Sequence, residues 1–376
     1  MTCAGRDALL PRIPLLSWKV PLPVNPSSIS RLAIRATNWL GDAVMSLPAI
    51  RAMRQVFPHA DIALVARPWV ADLYSRERSI DRIIPYTGQR GWSAKREFAR
   101  LLRRERFDAA ILLQNAFDAA LMAWLAGIPE RIGYNCDGRG LLLTRAIAVP
   151  EPGEIPRHER FYYLELLHRA GMIEGFGDLG AIRLEGIGEA RDAGMAHLAR
   201  LGMEGPVMGI SPGAAYGNAK RWLPERFAAV ARNLAPSSVL LFGSAAERTL
   251  CESVAEPLRR ADIEVRNLAG ETTLREFLDL AAACRLFLTN DSGAMHVSSA
   301  LGVPTVAVFG ATDDATTGPT GALARVVREH AECSPCLLRE CPIDHRCMTA
   351  VSVERTTAIA LDLWKESNWW TPALKS

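Results

Sequence analysis

Apolar positions in this chain come in short blocks that alternate with helix-period stretches, almost from end to end. The most legible unit starts at Leu286–Thr289, an apolar run that breaks into Asn290, Asp291, Ser292 and Gly293. A helix-period stretch from Ala294 to Leu301 follows, closed by Gly302 and Pro304. A β-branched run, Thr305–Phe309, then ends in Gly310. The pattern is strand, turn, helix, strand. Further strands are predicted at 32–35, 61–66, 82–84, 109–113, 131–134, 207–210 and 238–242. Helices are predicted over 42–56, 94–106, 118–126, 158–170, 224–234, 246–254 and 274–283. Such alternation implies parallel sheets with right-handed crossovers, so the chain is α/β with two Rossmann-like halves.

The Gly-rich stretch from Gly171 to Gly188 reads as the junction. The expected organisation is a Pro-rich extension over 1–30, a first domain over 31–185, a second over 186–350, and a C-terminal helix and tail over 351–376. At 376 residues with 49% apolar composition the chain can bury two cores. No run of 18 or more apolar residues occurs, which excludes a spanning helix on length. The first 30 residues are broken by Pro11, Pro14, Pro21, Pro23 and Pro26 and lack the build of a secretion signal. Eight cysteines in a chain of this size are no disulfide scaffold, and the cytoplasm is the expected compartment.

The net charge of +3 hides an asymmetry: residues 31–150 carry 18 Lys/Arg against 11 Asp/Glu, whereas 151–376 carry 23 against 29. Either the first half meets something anionic, such as a membrane surface or a phosphorylated substrate, or the charges are simply spread over solvated faces. The segment Arg90–Phe107 sharpens the question. Its Arg90, Lys95, Arg96, Arg100, Arg103, Arg104 and Arg106 interleave with Trp92, Phe98, Leu101 and Leu102. It is either a basic amphipathic surface for anionic lipid or an ordinary helix packing its leucines inward.

In open parallel sheets, ligands sit beyond the carboxyl ends of the strands. Three such exits in the second half suit a phosphate. They are Ser211-Pro-Gly213 with Tyr216-Gly-Asn-Ala-Lys-Arg-Trp222, then Asn290-Asp-Ser-Gly293 leading into His296, and Gly310-Ala-Thr-Asp313. Small residues allow close backbone approach, Lys220 brings positive charge, and a helix beginning at Gly293 offers unpaired N–H groups. Plainer readings stand beside these: Asp291 or Ser292 as a helix cap, His296 as a satisfied interior residue, Lys220 as a solvated charge. In the first half the matching exit is Arg35-Ala-Thr-Asn-Trp-Leu-Gly-Asp42, where Asp42 is either a cap or a carboxylate able to take a proton. Gly175-Phe-Gly-Asp-Leu-Gly180 matches G-x-G-x-x-G literally but follows a helix and opens none, so it is set aside. The run Cys333-x2-Cys336-x4-Cys341-x5-Cys347, with His345 inside it, suits a local structural role or a small zinc site.

Three segments together resemble glycosyltransferase family 9, the bacterial heptosyltransferases. They are Thr37-Asn-Trp-Leu-Gly-Asp-Ala-Val44 with Leu47-Pro-Ala-Ile-Arg-Ala52, Ser211-Pro-Gly213 with Ala219-Lys-Arg-Trp222, and Asn290-Asp-Ser-Gly-Ala-Met-His296 with Phe309-Gly-Ala-Thr-Asp313. The resemblance implies a GT-B fold, two Rossmann-like parallel-sheet domains facing each other across a cleft. It also implies ADP-L-glycero-D-manno-heptose as donor, a heptosyl-Kdo-lipid A acceptor, and inversion with no metal and no cofactor. The setting it implies is lipopolysaccharide core assembly, by a cytoplasmic protein peripheral to the inner membrane surface, with no nucleic-acid partner.

On the same resemblance Asp42 matches the general base and Lys220 the residue that steadies the diphosphate. Ser211, Gly213, Asp291, Ser292, Gly293 and His296 match the donor site, joined by Thr312, and Thr37, Asn38 and Gly41 fall on the acceptor side. One departure is Asp314, where the family usually has proline. Rival functions on such a fold are a nucleotide-sugar epimerase or hydrolase, or a non-catalytic sugar-nucleotide-binding module. Sugar release or isomerisation without acceptor would mark the former. Indifference to Asp42→Asn would mark the latter.

Overall fold

In the structure, a computed structural model, residues 26–88 and 91–366 are described. Most of the Pro-rich extension, Arg90 and the final ten residues therefore lie outside the described residues. The chain divides into two units, one ending at Leu179 and the other beginning at Gly180.

The first unit carries six parallel strands: β1 (Arg31–Arg35), β2 (Asp61–Ala66), β3 (Arg82–Pro85), β4 (Ala109–Leu112), β5 (Glu130–Tyr134) and β6 (Arg145–Ile147). Its helices are α1 (Leu40–Met45), α2 (Leu47–Val56), α3 (Pro68–Ala71), α4 (Trp92–Arg104), α5 (Phe117–Leu125) and α6 (Arg160–Arg169). The second unit repeats the plan with β7 (Val207–Ser211), β8 (Ser238–Leu241), β9 (Glu264–Asn267), β10 (Leu286–Asn290), β11 (Thr305–Val308) and β12 (Ala324–Val327). Its helices are α7 (Ile187–Arg200), α8 (Pro224–Leu234), α9 (Arg248–Arg259), α10 (Leu274–Ala283), α11 (Gly293–Ala300), α12 (Asp314–Thr317), α13 (Arg346–Thr349) and α14 (Val353–Glu366).

The strand orders are β3-β2-β1-β4-β5-β6 and β12-β11-β10-β7-β8-β9. Both are the doubly wound order, so the chain reverses direction across the sheet between β1 and β4, and again between β7 and β10. Exit loops diverge at such a reversal and leave a crevice open to a ligand. The register pairs Thr289 with Ser211, which sets the exits of β10 and β7 side by side.

The central strands are buried on both faces, which is why they read as unbroken apolar runs: Leu32, Ile34, Ile111, Ile210, Leu286 and Leu288 are all fully buried. Three edge strands escaped the pattern. β6, β9 and β12 are short and half exposed, and Arg145, Glu264, Arg266 and Arg325 interrupt them. Helix α7 was also not foreseen. Its buried residues are only Ala190, Gly194 and Leu198, too small a stripe to signal a helix. Gly194 explains why they are small, because a Cβ there would stand 2.0 Å from the backbone oxygen of Asp279 in α10.

The single helix expected over 42–56 is two. Chain entry occurs earlier, at Leu40, and the path breaks at Ser46 because Pro48 lacks an N–H and would crowd the Val44 carbonyl. Ser46 covers the break, its hydroxyl donating to Ala43 O at 2.9 Å. Helix α9 continues a turn past its expected end despite Pro257. Among the described residues no helix is long and apolar enough to cross a membrane.

Candidate active site

Three separate exit loops of the second unit meet at the β7/β10 reversal. Asn290 ends β10 and is fully buried. Its Oδ1 accepts the Trp222 backbone N–H at 2.9 Å and its Nδ2 donates to Pro212 O at 2.7 Å. One amide thus ties the β10 exit to both ends of the loop that carries Lys220. Trp222 anchors that loop from below, buried against Phe227 and donating through Nε1 to Val351 O at 3.2 Å.

Lys220 is not a solvated charge. Its Nζ donates to Asp291 Oδ2 at 2.6 Å, with side-chain exposures of 14% and 5%. Thr312 Oγ1 donates to the same oxygen at 2.5 Å, so the β11 exit joins the group. Asp291 is therefore occupied by Lys220 and Thr312 rather than by capping α11. Ser292 stands at the N-cap of α11 with extended backbone, yet its side chain makes no cap bond; its hydroxyl lies 3.1 Å from Thr289 Oγ1. The first N–H groups of α11, from Gly293 onward, thus have no side-chain cap, and they follow directly on Asp291, which holds the Lys220 ammonium. His296 lies at the end of that turn and is buried, as are Ser211 and Gly213. Glu247, whose local pattern marks it only as the acid of a capping box with Ser244, brings its carboxyl against Gly213, where a Cβ would meet its Oε1 at 2.1 Å.

The Cys-rich segment braces these loops through its backbone. Ala219 N donates to Arg339 O at 3.1 Å, Cys341 N to Asn218 Oδ1 at 3.2 Å, and Leu337 N to Ala311 O at 2.8 Å. Tyr216 donates to Leu337 O at 3.0 Å, and its ring face holds Lys220 Nζ at 5.0 Å and the Arg339 guanidinium at 5.3 Å. Cys333, Cys336, Cys341 and Cys347 are free thiols. Among the described residues no group of three or more His, Cys, Asp or Glu is arranged to hold a metal ion. Asp314, the departure from the family pattern, is neutralised: Arg328 Nη1 lies 2.7 Å from its Oδ1, and Asp313 caps α12 by accepting from Ala315 N at 3.1 Å.

In the first unit the β1 exit carries Thr37, Asn38, Gly41 and Asp42 to the β1/β4 reversal. Thr37 is buried and Asn38 half-buried, its Oδ1 accepting from Arg35 Nη2 at 2.9 Å. Asp42 sits half-buried in the first turn of α1. Its charge reaches the half-buried Glu159 and two buried phenols. Burial first, and then Asp42, pushes the Glu159 carboxyl up to about 7. The buried phenols of Tyr74 and Tyr163 are likewise raised, burial first with Asp42 adding. Sequence reasoning missed Glu159, because only the packing of α6 against α2 brings a residue so distant along the chain near Asp42. It also missed the group around Tyr86. The Arg35 and Arg67 guanidinium groups lie 4.9 and 4.7 Å from that ring, and its hydroxyl and Lys95 both bond Asp118. Burial lowers Arg35 to about 10, with Tyr86 opposing the shift.

Comparison with known proteins places this geometry. Residues 95–346 match glycosyltransferase family 9 (heptosyltransferase). The chain is 33% identical over 307 residues to lipopolysaccharide heptosyltransferase 2 of Escherichia coli strain K12, covering 79% of this chain and 88% of that protein. It is 29% identical over 333 residues to lipooligosaccharide heptosyltransferase 2 of Campylobacter jejuni, covering 86% and 96%. The solved structure of the E. coli ADP-heptose LPS heptosyltransferase II superimposes with a TM-score of 0.75 at 29% identity, covering 89% of this chain and 99% of that one. Two six-stranded parallel sheets, the matched family region and these relatives agree: the chain is a glycosyltransferase and belongs to family 9, the heptosyltransferases.

Proposed function

We propose that this protein moves L-glycero-D-manno-heptose from ADP-heptose to a heptosyl-Kdo-lipid A inner core, inverting the anomeric centre without a metal ion. The observation that carries the donor assignment is the Lys220–Asp291–Thr312 network beside the uncapped start of α11. Breaking the donor bond places negative charge on the departing diphosphate and positive character on the anomeric carbon. An ammonium group and a row of N–H groups, fixed before reaction, stabilise the former without reorganisation. Ser211, Gly213, Asp291, Ser292, Gly293, His296 and Thr312 line the donor side in this reading. Thr37, Asn38 and Gly41 serve the acceptor.

Asp42 acts as general base. Its carboxylate takes the proton of the acceptor hydroxyl as that oxygen bonds to the anomeric carbon, and the bonding pair leaves with ADP. The protein works in the cytoplasm, in peripheral contact with the inner membrane surface.

The test is mass analysis of truncated lipid acceptors incubated with protein and ADP-heptose. One heptose is gained by the heptosyl-Kdo-lipid A acceptor, and chelation of metals leaves the rate unchanged. Asp42→Asn lowers transfer by roughly 10²–10⁴-fold, the usual worth of a positioned base, while ADP binding persists. An acceptor of unchanged mass, or an Asp42→Asn protein of undiminished activity, removes this reading.

A further inference from the structure

Helix α4 runs from Trp92 to Arg104 along the outside of the first unit. Its inward side is accounted for: Phe98, Ala99 and Leu102 are buried, and Lys95 is ion-paired with Asp118. The outward side is not. Trp92, Arg96, Arg100 and Arg104 follow at intervals of four, which places them on one face, and all are exposed. Trp92 is 62% exposed and Leu101, flanking the stripe, 44%.

Arg96, Arg100 and Arg104 are in no hydrogen bond or ion pair among the described residues. Glu97 is the acidic residue on this side of the helix, and it is exposed as well. Arginines stacked at i and i+4 repel one another and weaken a helix unless an anion neutralises them. Glu97 sets one carboxylate against three guanidinium groups and pairs with none of them among the described residues, so the face stays net positive. A purely solvated face would gain nothing from a bare tryptophan and leucine. A phosphate-bearing lipid interface accommodates both. Guanidinium groups take the headgroup phosphates, while an indole and an aliphatic side chain settle at the boundary with the acyl region.

We propose that the outer face of α4 is the surface by which this protein docks on an anionic lipid bilayer, through Arg96, Arg100 and Arg104 with Trp92 and Leu101 as apolar anchors. This rests on the peripheral membrane contact of the reading above and assigns it a place. Lys95 has a different part, fixing the helix against Asp118 so that the stripe faces outward.

The test is co-sedimentation of the full chain with phosphatidylcholine vesicles, with and without phosphatidylglycerol. The wild type pellets with the mixed vesicles, is released at about 1 M salt, where charges are screened beyond roughly 3 Å, and stays in solution with phosphatidylcholine alone. Replacing all three arginines by Gln weakens binding roughly 100-fold, at about fivefold per charge. Replacing all three by Lys retains it, and Trp92→Ser weakens it at the low salt where the wild type binds. Turnover of a delipidated acceptor stays at the wild-type level throughout, which shows the variants folded. Equal sedimentation of the Gln variant and the wild type overturns the assignment to α4 but leaves membrane contact standing. A wild type that binds neither vesicle overturns both.

Discussion

Replacing Lys220 by Met separates the structural worth of the buried pair from its worth to the donor. The ammonium and the Asp291 carboxylate stand 2.6 Å apart with exposures of 14% and 5%. At an effective dielectric of about 20 the bare attraction at such a distance is roughly 6 kcal/mol. Desolvation of two ions cancels most of this, so the intact pair contributes little net stability. Removing one partner is another matter, since it strands a buried charge at a typical cost of about 3–5 kcal/mol. Thr312 still donates to Asp291 Oδ2 and offsets about 1 kcal/mol of that. Lys220→Met should therefore destabilise by about 2–4 kcal/mol, read by urea unfolding.

Adding Asp291→Asn removes the stranded charge and should return most of the loss. The resulting double-mutant coupling is about 2–3 kcal/mol. Activity does not return with it, because the double variant still lacks the cation: turnover of ADP-heptose stays low in both. A coupling below about 0.5 kcal/mol, the scatter expected of independent sites, would show the pair is no buried unit. Transfer restored by the second substitution would show that Lys220 serves stability alone.

Glu159 makes stability depend on pH. Its folded carboxyl titrates at about 7 against an ordinary 4.5. Below the ordinary value both states are protonated and nothing is lost. As pH rises the unfolded chain ionises first, so the folded state falls behind until the penalty is complete above about 7, on the order of 3 kcal/mol at most. Glu159→Gln should thus equal the wild type near pH 4 and exceed it near pH 8; parallel unfolding curves would refute this. Gly217→Ala sets a Cβ 2.0 Å from the backbone oxygen of Arg339. It should cost about 1–3 kcal/mol and raise the KM for ADP-heptose by displacing the brace behind Lys220, whereas an unchanged thermal midpoint would remove that brace from the argument.

The chain's pattern alone determined the α/β alternation, the central strands of both sheets and the three phosphate-compatible exits. Those features are local. A parallel strand buried on both faces must be apolar throughout, and a loop that admits a phosphate must be small and polar, so each writes itself into adjacent residues. Edge strands such as β9 touch the core on one side only, and α7 packs through Gly194, so neither leaves such a trace.

Tertiary structure decided the partnerships. Residues Lys220, Asp291 and Thr312 are far apart in the chain, and only the β7/β10 reversal makes them one network. Glu159 is equally remote from Asp42 in the chain, and packing alone lets one carboxylate shift the other. Composition left the basic segment open between a lipid surface and an ordinary helix. The fold turned Lys95 inward to Asp118 and left Arg96, Arg100 and Arg104 without partners among the described residues. Side-chain direction on a helix follows from what packs beneath it, and no run of adjacent residues encodes that.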